Sequence, residues 1–357
     1  MTQRGRLVAI AQAFKESLTL REVSGAFERE ARAAGFQPVV IAASDGGDGL
    51  LEALSGDLVR PTIHQVSGPT GAALDVQVGW LDDTTAVVES RLVCGLSLVP
   101  PGERDPRRTT TRGLGELVRA LEAAGATDLL IGLGGSATMD GGTGMARAWG
   151  WEFLDASGRP IPEGGGGLVH LAAVRSGQRP KPAIMALVDV RHPLTGPAGA
   201  VQFAEQKGAS PEVAAGLARG VERLAALVQP PEGAALANRA GAGAAGGLGF
   251  GLMAFAGARL IPGAAWMLER RRFDALLPGA VAVLVGEGRF DATSLDGKLT
   301  GEVLARAAAA GVRGVLVAPA VTATPPGRTI VESGDAPWGV ADLERHVRAA
   351  LARLSGS

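Results

Sequence analysis

The chain has one cysteine, no tyrosine, four histidines and, among 35 basic residues, only four lysines. A single thiol, Cys94, excludes an intramolecular disulfide and any cysteine-rich metal site. Set in the apolar run RLVCGLSLV, it is expected to be buried as a small hydrophobe. His64, His170, His192 and His346 show no metal-ligand spacing, and no serine sits in a GxSxG turn, so zinc- and serine-hydrolase chemistry lacks support. Aromatic residues make up 4% of the chain and the formal net charge is -1. Neither a base-stacking platform nor a general attraction to nucleic acid or anionic lipid follows from those values. Trp149 and Trp151, flanking one glycine, read as core. No apolar run reaches membrane-spanning length, and the start lacks the apolar stretch of a secretory signal. A cytoplasmic protein with no nucleic-acid and no membrane partner is expected.

What is present is apolar substance and glycine: 46% hydrophobic residues and 53 glycines in 357 positions. That length favours two domains over one. A strand-like run at 7–11 leads through a polar loop into an amphipathic segment, with Thr19 and Glu22 spaced as a capping box and Gly35 as the stop. The same strand, loop and helix unit recurs at PVVIAA–SDGGDG, DLLIGL–GGSATMDGG and AVAVLV–GEGRFDATS, which argues for mostly parallel sheets. DVQVGW and TAVVES, separated by four residues, read as an antiparallel hairpin. Residues 158–167 form a Pro/Gly-rich loop and 229–233 a second break. The tail from Gly339 reads as a terminal amphipathic helix.

Ligands of parallel α/β sheets bind beyond the carboxyl ends of the strands. The strand exits at 12–17, 44–49, 134–142, 189–193 and 286–294 all carry Gly, Asp, Lys or Ser clusters. In GGSATMDGG the small residues Gly134, Gly135 and Ser136, at a turn opening a helix, suit phosphate oxygens. No GxxxxGK[ST] string occurs, so this is not a P-loop protein. GAGAAG at 241–246 matches GxGxxG literally, but no strand precedes it, and close packing is the stronger reading. Asp45 and Asp48 in DGGDG suit a Mg²⁺ ligand or a hydroxyl-proton acceptor. Glu287, Arg289, Asp291 and Lys298 complete a set suited to phosphoryl transfer. Lys15, Lys207 and Lys298, unlike Lys181, lie in FKES, EQKGAS and LDGKLTG turns, where a compact ammonium marks a candidate site.

The strings FKESL, SDGGDG, VSGPTG, the run from Glu89 to Pro100, TTTRGLGEL, IGLGGSATMDGGTGM, VDVRHPLTGPAGA, FAEQKGA, GAGAAGGLGFGL and GEGRFDATSLDGK occur in this order. Together they resemble the type I glycerate kinases, bacterial enzymes that make 2-phosphoglycerate and ADP from D-glycerate and ATP, and the resemblance spans nearly the whole chain. It implies a Rossmann- or flavodoxin-like domain built from residues 1–67 and 275–357, a second α/β domain inserted at 68–274, and an active site in the interdomain cleft. The substrate would be glycerate, with ATP and Mg²⁺ as cofactors. Carried over residue by residue, Lys15, Asp45, Asp48, Asp189, Lys207 and Asp291 fall on catalytic positions. Gly134, Gly135, Ser136 and Asp140 fall on cofactor-binding positions, and Glu287, Arg289 and Lys298 on substrate-binding ones. Asp45 and Asp189 are the metal candidates. A homodimer is compatible with the sequence and not fixed by it.

The chain departs from the family pattern at Gln12, where aspartate is common, at Glu16, where glycine is common, and at Ser294-Leu295-Asp296, which replaces a glutamine-containing turn. Three alternatives stay open: a non-catalytic or altered-substrate relative binding a small hydroxy acid, a 3-phosphoglycerate-forming kinase, and, through GxGxxG, an NAD-dependent dehydrogenase.

Overall fold

The computed structural model describes residues 4–14, 17–228, 232–335 and 337–354. The chain divides into two compact units, Met1–Gly56 with Pro262–Ser357, and Asp57–Ile261.

The first unit is a five-stranded sheet in the spatial order Thr329–Glu332, Arg313–Val317, Ala280–Gly286, Arg6–Ala11, Gln37–Ala42, and every neighbouring pair is parallel. Counted along the chain this is the 2-1-3-4-5 order of doubly wound, flavodoxin-like sheets. The two central strands, RLVAIA and AVAVLVG, are nearly continuous apolar runs with buried side chains, as a sheet covered on both faces requires. Helix Leu20–Ala33 starts with the expected capping box: the Glu22 N–H donates to Thr19 Oγ1 at 3.2 Å, and the Thr19 N–H donates to the Glu22 carboxylate at 2.8 Å. The helix buries Leu20, Val23, Phe27 and Ala31 on one face. Val23 and Phe27, wholly enclosed, each contribute about 1.5–3 kcal/mol. Gly35, at φ +84°, ends this segment in a left-handed turn open only to glycine at low cost. The tail forms the helix Val340–Leu354, which packs beside Leu20–Ala33.

The second unit centres on three parallel strands, Thr85–Glu89, Asp128–Leu133 and Ala183–Val188, with Arg259–Pro262 beyond the last. On the other side the sheet turns antiparallel: Ala73–Trp80 pairs with Thr85–Glu89 as the expected hairpin, with Gly79 opposite Val87. Arg60–Ser67 then pairs with Ala73–Trp80 over eight positions, a strand not expected from the sequence. Its alternation is blurred because it is an edge strand: Pro61 is tolerated there and Ile63 is 72% exposed. Trp149, Trp151 and Cys94 are core residues, as expected. The Trp149 indole N–H donates to Gly115 O at 3.0 Å, and Trp151, Phe153 and Phe250 meet Phe255 edge-to-face. Burial pushes the Cys94 thiol up to about 12, which leaves it inert.

The unit boundaries fall at Gly56/Asp57 and Ile261/Pro262 rather than at the expected 67/68 and 274/275. Two local facts move them. Arg60–Ser67 is bound along its whole length to a strand of the second unit, whereas a Cβ added at Gly263 would stand 1.9 Å from Asp45 O, so helix Gly263–Arg270 is seated on the first. Residues 229–231 of the second expected break lie outside the described residues; helix Glu232–Ala237 comes directly after them. Among the described residues no helix is long and apolar enough to cross a membrane.

Candidate active site

In the first unit the chain leaves Arg6–Ala11 toward one edge of the sheet and Ala280–Gly286 toward the other. Their carboxyl ends therefore diverge and leave a crevice. A cavity of about 520 Å³ occupies it, lined by Gln12, Asp45, Glu287, Arg289, Asp291, Lys298 and Trp338 among others. Gln12 ties the two strand exits together, its Nε2 donating to Gly286 O at 3.0 Å and to Thr300 Oγ1 at 2.7 Å. An ionised aspartate at this position would have no hydrogen to give a carbonyl. Gln12 thus braces the crevice. Asp45 Oδ1 accepts the Gly47 N–H at 3.2 Å, and the Ser44 hydroxyl, donating to Asp48 O and accepting from Gly46 N–H, fixes the DGGDG turn. Asp48 itself is half-buried and stands outside the cavity wall.

The three remaining polar residues of GEGRFD differ sharply. Asp291 caps the short turn Ala292–Leu295, Oδ1 accepting from the Thr293 N–H at 2.9 Å and the Thr293 hydroxyl at 2.7 Å. Those bonds hold its carboxyl below the usual range, and Arg289 pairs with it at 3.3 Å. Glu287 is the opposite case. Its Oε1 is buried without a hydrogen-bond partner, and burial pushes its carboxyl up to about 7 against the opposing pull of Ser294, Lys298 and Thr300. Lys298 stands at the N-cap of helix Leu299–Ala309 with Nζ donating to Thr293 Oγ1 at 2.7 Å. Trp338, 2% exposed, forms a wall stacked at 4.3 Å on His346, whose Nδ1 lies 3.2 Å from Glu332.

In the second unit Gly134 is half-exposed and Gly135 exposed at φ +55°, but the rest of the loop is enclosed. Leu96 N–H donates to Gly135 O at 2.7 Å and Ala137 N–H to Cys94 O at 2.8 Å. Lys207, 6% exposed, reaches this turn from within and donates to Ser136 Oγ at 2.9 Å and Thr138 O at 2.8 Å. Burial lowers its ammonium to about 8. Asp140, 0% exposed, accepts from the N–H groups of Thr111, Gly142 and Gly144 and from the Thr111 hydroxyl. Burial nevertheless raises its carboxyl above the ordinary value. The helix opened by the loop, Thr143–Arg147, has five residues; the Gly144 N–H donates to the Asp140 carboxylate and the Met145 N–H to Thr111 Oγ1. Lys207 thus braces the turn. GAGAAG packs, as expected: a Cβ at Gly246 would stand 1.8 Å from Thr138 O, and Ala245 is held at φ +51° beside it.

Of the expected site residues, Asp45, Glu287, Arg289, Asp291 and Lys298 share one cavity, and Ser136, Asp140 and Lys207 share one enclosed cluster. Asp189 is half-buried just past Ala183–Val188. Lys15 and Glu16 lie outside the described residues. Thr111, Thr300 and Trp338 were not anticipated. Only Thr111 carried a signal, as a hydroxyl residue directly before an apolar-periodic helix.

A doubly wound parallel sheet with cationic and carboxylate groups at its switch point, together with a second α/β unit, makes this a two-unit α/β protein with a cavity suited to a small polar ligand. The model of the "Glycerate kinase family" matches residues 7–355, and the chain belongs to that family, whose members are phosphotransferases. It is 39% identical over 307 residues to a glycerate kinase of Bacillus subtilis strain 168, covering 82% of this chain and 79% of that one. To a glycerate 2-kinase of Escherichia coli K12 it is 37% identical over 303 residues, covering 82% and 80%. A crystal structure of a candidate glycerate kinase 2 from Salmonella typhimurium LT2 superposes with a TM-score of 0.79 at 33% identity, covering 99% of this chain and 98% of that one.

Proposed function

We propose that the protein transfers the terminal phosphate of ATP to D-glycerate, giving 2-phosphoglycerate and ADP, with glycerate bound in the cavity of the first unit. The observation that carries this reading is Glu287, a half-buried carboxylate with an unpartnered oxygen, set beside Arg289 and Lys298 in one cavity. The names of the Bacillus and Escherichia relatives support the substrate and, for the latter, the 2-position.

Lys298 and Arg289 receive the glycerate carboxylate, an anion that would find no such donors in an apolar pocket. Glu287 accepts the proton of the attacking hydroxyl. Its raised pKa, about 7, matches a base working near neutrality better than Asp291, whose pKa is lowered by the Thr293 bonds to Oδ1. Asp291 instead holds Arg289 in place, and Gln12 keeps the crevice walls in register. Among the described residues no group of three or more His, Cys, Asp or Glu forms a metal cage. Mg²⁺ needs no cage, since it takes one or two carboxylates and fills its shell with phosphate and water. The cavity-lining carboxylate of Asp45 fits that demand. Bound there, the cation would neutralise phosphate charge.

The test is to mix purified protein with D-glycerate, ATP and Mg²⁺, follow ADP release and identify the product by ³¹P NMR. Glycerate-dependent ADP release with a 2-phospho product is expected. A 3-phospho product would overturn the regiochemistry, and release no faster than the glycerate-free control would overturn the activity.

A further inference from the structure

A second cavity, of about 610 Å³, lies wholly within the second unit, and its wall includes Arg104, Asp105, Arg107, Arg108, Thr109 and Gly208. Its charges are unequally committed. Asp105 is spent on Arg107, accepting Nε and Nη2 at 2.9 Å each and the Arg107 backbone N–H at 3.0 Å. Arg104 uses Nε on Val99 O at 3.3 Å. The Arg108 guanidinium, exposed, makes no hydrogen bond or ion pair among the described residues. Glu103, the other acidic residue of the wall, is exposed. Positive charge therefore exceeds negative, and the uncommitted donors belong to Arg104 and Arg108.

The backbone carrying these side chains is clamped. Thr109 Oγ1 donates to Ala137 O at 2.8 Å and Thr110 N–H to Pro69 O at 2.9 Å. Gly208, at φ +92°, and Gly164 approach so closely that a Cβ on either would stand 2.3 Å from Arg104 O and Arg107 O respectively. A clamped backbone fixes where the arginine side chains start, and their planar forks match phosphate oxygens in pairs. The space is that of a small-molecule site, larger than a lone phosphate fills.

We infer that the Arg104–Arg108 cavity binds the phosphate group of a small phosphorylated molecule. The phosphate comes either from a nucleotide or from a phosphorylated hydroxy acid, and the inference holds whether or not glycerate is the acceptor.

Titration calorimetry of the full chain with ADP and, separately, with 2-phosphoglycerate tests it on the wild type, Arg104→Ala and Arg108→Ala, with Arg29→Ala as a surface-charge control. Loss of one charge-assisted bond predicts affinity about tenfold or more weaker in both cavity variants and unchanged in the control. Weakening of ADP alone identifies the nucleotide as the source, and weakening of 2-phosphoglycerate alone identifies the phosphorylated acid. If an alanine variant unfolds, Arg104→Lys and Arg108→Lys, which keep the charge and lose the fork, replace it and should bind severalfold more weakly. Wild-type affinity for both ligands in the folded arginine variants, or no binding of either by the wild type, would overturn the inference whatever the outcome of the glycerate assay.

Discussion

The glycine turn of the second unit and the cavity of the first are built from the same residue types at the same kind of strand exit, yet they treat their polar groups in opposite ways. Around Asp140 and Lys207 each buried charge has at least two hydrogen bonds and almost no access to solvent. Around Glu287 an oxygen is left without a partner and the wall is open. Enclosed and satisfied networks stiffen a loop. A perturbed, incompletely satisfied carboxylate in a cavity is instead available for chemistry.

The largest effect that would break this contrast is expected at Asp140. Asp140→Asn sets an amide against N–H donors from three residues, and loss of a buried charged network costs about 3–5 kcal/mol. Urea unfolding should show it; a loss under about 1 kcal/mol would mean that the cluster does not hold the turn. Glu287→Gln should do the reverse, lowering kcat by about 10²–10⁴-fold while leaving stability equal or higher, because burial penalises the carboxylate's charge and the amide carries none. Wild-type turnover should rise as pH passes through about 7, where Glu287 becomes a base. The same ionisation works against the fold: the folded pKa lies above the ordinary 4.5, so the stabilisation present below 4.5 is lost as pH climbs toward 7. A pH–rate profile that keeps its acidic limb in Glu287→Gln would assign the base elsewhere.

Lys207 sharpens the contrast more gently. Its folded pKa, about 8, lies below the ordinary 10.5, so the unfolded chain binds more protons between those values and stability should rise with pH across that window. Lys207→Met should flatten the slope; an unchanged slope would show that another group carries it. The smallest effect belongs to exposed pairs such as Arg29 with Glu344. Arg29→Ala should shift unfolding by no more than about 0.5 kcal/mol, and a larger shift would show that surface charge matters more here than burial does.

Local chemistry was legible where neighbours in sequence are neighbours in space. The Thr19–Glu22 capping box, the stop at Gly35, the hairpin ending in Thr85–Glu89 and the burial of Cys94, Trp149 and Trp151 follow from spacing and composition. Within the candidate sites, sequence picked out residue types and strand exits, but not which groups were already spent. Asp140 and Thr111 are 29 residues apart, Lys207 and Ser136 71, and Gln12 and Thr300 288. No local pattern announces such partners.

Periodicity and turn chemistry act over a few residues, so the alternation of strand, loop and helix, the parallel sheets and the glycerate kinase family could all be read from the order of amino acids alone. Where the units divide, which polar groups are enclosed and which are left open are set by the folded chain. Burial and hydrogen-bond satisfaction depend on backbone segments brought together from distant parts of the molecule, and those approaches separate Glu287 from Asp140.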